Sequence, residues 1–90
     1  MPRYVIERDI PGAGALSDNE LREVSLRSLA ALGEMGSTIQ WLHSYVTDDK
    51  VYCLYIAPDP QPIRDHAMRA GFPADSIREV RTIMDPTTAD

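Results

Sequence analysis

The chain predicts an α+β domain, and three observations carry that prediction. Two runs rich in β-branched and aromatic residues, 38–46 and 51–57, flank the polar turn Thr47-Asp48-Asp49-Lys50 and read as an antiparallel hairpin. A capping signature at Ser17 opens a stretch of helical periodicity, and a second helix signal follows the hairpin. A strand-like run towards each end of the chain completes the order β-α-β-β-α-β.

Residues 3–9, Arg-Tyr-Val-Ile-Glu-Arg-Asp, form the first strand in this reading. Pro11-Gly12-Ala13-Gly14 then reads as a turn, because the glycine pair lacks both GxGxxG spacing and the Lys-Ser/Thr of a phosphate loop. Ser17-Asp18-Asn19-Glu20 fits a capping box, in which the Ser17 hydroxyl and the Glu20 carboxylate satisfy free amides reciprocally. Leu21, Val24, Leu29, Leu32 and Met35 recur at roughly helical spacing and predict a helix over 18–34, stopped by Gly33 and Gly36. After the hairpin, Asp59 caps a second helix whose first turn tolerates Pro60 and Pro62, since their missing donors would be unpaired anyway. Ile63, Ala67 and Ala70 line its inner side, and Gly71-Phe72-Pro73 ends it. Residues 78–84 make the last strand, and 85–90 are a polar tail.

Two right-handed βαβ crossovers joined by a hairpin specify the ferredoxin-like arrangement, a four-stranded antiparallel sheet with both helices on one face. Residues 1–90 then form a single domain, small enough to bury only ~60–65% of its unfolded surface. The second sheet face is left bare. A second copy closing over it, giving a two-fold homodimer of the α+β barrel type, is the expected solution.

Composition narrows the partners. With 43% hydrophobic and 26% charged residues the chain is too apolar for disorder. Its net charge is −5, and Arg64, Arg69, Arg78 and Arg81 are interleaved with Asp65, Asp75 and Glu79, so no basic stripe for nucleic acid forms. No apolar run reaches the roughly 18 residues a membrane span needs, and the charged, strand-like start is not a signal peptide. One cysteine, Cys53, excludes an internal disulfide and fits a cytoplasmic location.

Register decides which side chains meet. A four-residue loop at 47–50 pairs Val46 with Val51 and places His43 opposite Leu54, on a face shared with Trp41, Tyr45, Tyr52 and Ile56. Cys53 then lies opposite Ser44 with Leu42, Val46, Val51 and Tyr55, the more apolar face, which should meet the helices and bury the thiol. A three- or five-residue loop would slip the parity and bring His43 beside Cys53 and Tyr55. His43 is open to three roles: an interface histidine, a metal ligand or a general base. Glu7 shares a face with Val5 and Asp9, and either pairs with Arg81 or Arg8 or ligates a cation. His66, three residues after Ile63 at the edge of the buried stripe, is either a solvated surface histidine or a third ligand. No HExxH, CxxC or paired-cysteine zinc pattern is present, so imidazole–carboxylate ligation of nickel, zinc or copper is the metal chemistry these residues offer.

The strings Trp41-Leu-His43-Ser-Tyr45-Val-Thr-Asp-Asp-Lys50, Tyr52-Cys53-Leu-Tyr55-Ile-Ala57-Pro58, His66-Ala67, Ala70-Gly71-Phe72-Pro73-Ala74 and Asp85-Pro86-Thr87-Thr88-Ala89 resemble a bacterial family of unknown function. Its members are small ferredoxin-like proteins often labelled nickel-binding or nickel-responsive. The resemblance spans Arg3 to Ala89 and implies a dimeric domain that binds Ni2+, in a sequestering role. It transfers no ligand pattern. His43, Glu7 and His66 are chosen as metal ligands on their chemistry, with Cys53 in reserve. The competing reading is a cofactor-free dimeric α+β barrel enzyme, a monooxygenase or isomerase, in which His43 acts as acid or base beside Tyr45 and Trp41 stacks on an aromatic substrate. A third is a plain interaction module whose aromatic face serves dimerisation alone.

Overall fold

Arg3–Asp9 forms β1, with Tyr4, Ile6 and Arg8 pointing to one side and buried, as the period-2 rule requires of a half-covered strand. The computed structural model describes residues 1–36 and 38–90. In it β1 leads through a 3-10 turn at Ala13–Ala15 to helix α1, Asp18–Met35. The hairpin strands are β2, Gln40–Val46, and β3, Lys50–Ile56; helix α2, Pro60–Ala70, and strand β4, Ser76–Glu79, follow. The strands lie in the order β2-β3-β1-β4, with each described pairing antiparallel. This is the expected ferredoxin-like α+β arrangement.

The local signals act as read. Ser17 accepts from the Glu20 amide while the Glu20 carboxylate returns to the Ser17 amide, closing the capping box. Asp59 caps α2 through the Gln61 amide. Gly71, at φ +76°, ends α2 in the left-handed region that only glycine enters freely. The core lies between the helices and one face of the sheet, where Ile6, Tyr55, Ala57 and Ile63 are wholly or almost wholly buried.

Three element predictions need correction. Gly33, read as part of the stop of the first helix, lies inside α1, which continues to Met35 before Gly36 ends it. Leu29 is 53% exposed. The inward stripe of α1 runs through Leu21, Val24, Ser28, Ala31 and Met35, and Leu29 lies one residue off it. The last strand spans Ser76–Glu79 rather than 78–84. The Val80 amide still donates to the Arg3 carbonyl (2.8 Å), but β1 then runs out. Pro2 has no amide hydrogen, and its carbonyl already accepts from Ala57 (3.1 Å).

Candidate functional site

One extra residue in β2 decides the chemistry of both sheet faces. Val46↔Val51, Tyr45↔Tyr52, Ser44↔Cys53 and His43↔Leu54 pair as the four-residue loop predicts, but Trp41 pairs with Tyr55 across a register shift between Trp41 and His43. Leu42 is the surplus residue of a β-bulge. Trp41 therefore joins the helix-covered face with Ser44, Cys53 and Tyr55, whereas His43 and Tyr45 stay on the bare face. The expected partnership of His43 with Trp41 is lost, and with it the single pocket in which the enzyme reading joined them.

On the bare face, one cross-strand row runs Tyr45, Tyr52, Glu7, Ser76 and the next His43, Leu54, Val5, Arg78. His43 Nε2 lies 3.1 Å from the Tyr45 hydroxyl, and their rings meet edge to face at 5.1 Å. Both residues are exposed, Tyr45 at 59%. The Tyr52 hydroxyl points to Glu7 Oε1 at 3.5 Å. Glu7 pairs with neither Arg81 nor Arg8: Lys50 Nζ lies 3.2 Å from its carboxylate and also bonds Asp9. Alternation explains the difference, because Arg8 points to the opposite side of β1. Arg81 instead lies 3.7 Å from Glu79.

His66 is fully buried between α1 and α2, behind the sheet as seen from His43, so the solvated reading fails. Its Nε2 lies 3.2 Å from both the Ser28 hydroxyl and the Ser28 carbonyl. Burial, reinforced by the nearby positive charge of Arg8, pushes its pKa below the ordinary imidazole value against the opposing Ser28 hydrogen bond. Glu7 and His43 thus share a face, and His66 does not join them within one chain. Among the described residues, no group of three or more His, Cys, Asp or Glu side chains is placed to hold a metal ion. The donor types suit nickel; their number in a single chain falls short.

The other face carries a second candidate site. A cavity of about 450 Å3 lies between α1 and the sheet, walled by Leu21, Val24, Val51 and Trp41 among others. Trp41 Nε1 donates to Ser44 Oγ (3.0 Å), and the Ser44 hydroxyl donates to Cys53 Sγ (2.9 Å). Cys53 is 5% exposed, as expected for a thiol used as a small core residue. Arg8, 2% exposed, reaches Cys53 Sγ, the Pro73 carbonyl and the Tyr55 hydroxyl. Sequence reasoning missed Arg8 as a site residue. Its alternation with Tyr4 and Ile6 on β1 was the signal that would have found it.

A family model described as nickel responsive protein SCO4226-like matches residues 4–80. Among solved structures, the crystal structure of SCO4226 from Streptomyces coelicolor A3(2) superposes with a TM-score of 0.73 at 22% sequence identity. The alignment covers 91% of this chain and 99% of that one. No functionally curated protein matches the chain significantly.

Proposed function

We propose, from the premise that the chain belongs to the SCO4226-like family of nickel-responsive proteins, that it is a small cytoplasmic binder of divalent nickel that pairs through its bare sheet face and sequesters the ion there. The observation that carries this reading is the placement of His43 and Glu7 on one uncovered face. Imidazole nitrogen and carboxylate oxygen are donors that nickel accepts, and the described residues of one chain gather no three of them together. Two-fold pairing doubles the set, with an imidazole and a carboxylate from each copy. His66, buried on the far side of the sheet, holds α1 to α2 and stays out of the coordination shell. Lys50 competes for the site, since its ammonium already neutralises Glu7 and Asp9.

Calorimetric titration with NiCl2 tests this. The wild-type chain should bind saturably, and more weakly on going from about pH 7 to about pH 5, because only the neutral ring ligates. His43→Ala should weaken binding by about tenfold or more, and Glu7→Gln should also weaken it. Undiminished affinity in both variants would overturn the assignment.

A further inference from the structure

Arg8 is a buried charge without a counter-ion. Among the described residues no carboxylate forms an ion pair with it. Its three contacts are to a sulfur at 3.5 Å, a weak acceptor, to a backbone carbonyl, and to a phenol at 3.4 Å, the last at the long end of hydrogen bonding. Three contacts do not exhaust the five N–H donors of a guanidinium. Arginine does not shed its proton to escape burial, so this arrangement is costly unless an anion arrives. The phenol is no substitute, because a tyrosine is neutral near pH 7 and burial pushes Tyr55 further up, to about 12.

Arg8 is among the residues that line the 450 Å3 cavity. That volume is within the range of small-molecule pockets, and the wall is predominantly apolar. A second cation stands at the same place: Arg27, exposed on α1, stacks over Phe72 at 5.2 Å while Arg8 approaches that ring at 5.6 Å. Asp9, the acidic residue lining the cavity, is taken by Lys50. A chain with a net charge of −5 thus lines an apolar hollow with two arginines.

We propose that this cavity binds a small monocarboxylic acid with an apolar body, the carboxylate against the Arg8 guanidinium and the body along Leu21, Val24, Val51 and Trp41. A planar guanidinium fork matches a carboxylate in two parallel hydrogen bonds, and the aliphatic wall desolvates the rest. The site is separate from the metal face, with the sheet between them, and either can fail without the other.

Decanoate and decanol, two probes with one body and different heads, decide the matter in metal-free buffer with a chelator. Trp41 is the only tryptophan and lines the cavity, so its emission reports occupancy. Decanoate should titrate saturably below about 1 mM and bind about tenfold or more tighter than decanol, the ratio expected of a charge-assisted contact. Arg8→Met should abolish that preference. Val24→Phe, which fills the hollow and keeps every charge, should weaken both probes. Equal affinities for the two probes, no saturable response to decanoate, or a preference that survives Arg8→Met would each overturn the proposal. Should Arg8→Met fail to fold, the wild-type ratio and Val24→Phe still decide it.

Discussion

The Ser28 carbonyl can only accept, so the Nε2 of His66 carries the hydrogen of the neutral ring and Nδ1 is a buried acceptor without a partner among the described residues. Protonation would place a second N–H at Nδ1, facing nothing, with Arg8 nearby to repel the charge. The folded pKa is therefore depressed while the unfolded chain titrates near about 6.5. The sign follows. Above both values the ring is neutral in either state and costs nothing. As pH falls below about 6.5 the unfolded state takes up the proton first, and stability declines until the folded value is passed. The urea midpoint should fall between about pH 7.5 and about pH 5.5, and less steeply in His66→Gln, which keeps a donor near Ser28 but cannot protonate. An unchanged slope in the variant would show that His66 does not carry the effect. His66→Ala should cost about 2–4 kcal/mol at neutral pH through the cavity and the lost hydrogen bonds, read as a lowered midpoint.

Between elements, the loop after β1 is tied to the hairpin turn. The Ile10 amide donates to the Asp49 carbonyl, the Gly12 amide to Asp49 Oδ1, and the Gly14 amide to the Asp48 carbonyl, each at 2.9–3.0 Å. A Cβ on Gly14 would meet the Asp48 Cα at 2.9 Å and the Thr47 carbonyl oxygen at 3.0 Å, both backbone atoms that cannot swing aside. Gly14→Ala should therefore destabilise by about 1–3 kcal/mol, whereas Gly33→Ala, in open space within α1, should stabilise by about 0.5–1 kcal/mol; thermal melts of the two separate these effects. This contrast also marks what the residues disclose unaided. Caps, glycine stops and alternation are local, so β1, α1, the hairpin and α2 were legible from side chains a few positions apart. The bulge was not. Trp41-Leu42-His43 carries no glycine or proline to announce it, and the surplus residue shows only against Tyr55 and Leu54 of the neighbouring strand. The candidate site was legible to the same extent: His43 and Glu7 share a face by parity, but Lys50's grip on Glu7 and the gathering of Arg8, Trp41 and Phe72 around one cavity are long-range facts.

For the molecule as a whole, the bare face is the side of the sheet that no helix covers. It presents Val5, Leu54 and Ile56 half-buried beside exposed Tyr45, a mixture suited to an aromatic-rimmed interface between copies. Sedimentation equilibrium should return a two-chain mass, and Tyr45→Lys, which puts a positive charge from each copy into the proposed interface, should shift it towards one chain by at least tenfold in Kd. A single-chain mass for the wild type at micromolar concentration would remove the pairing and the shared nickel shell together. Two-layer domains of this kind also have free edges. Here β2 is one and the four-residue β4 the other. A long, regular border would invite strands from neighbouring molecules to add on indefinitely, as in amyloid growth. The irregularity at Leu42 and the brevity of Ser76–Glu79 spoil both borders as templates, which favours closed assemblies over fibres.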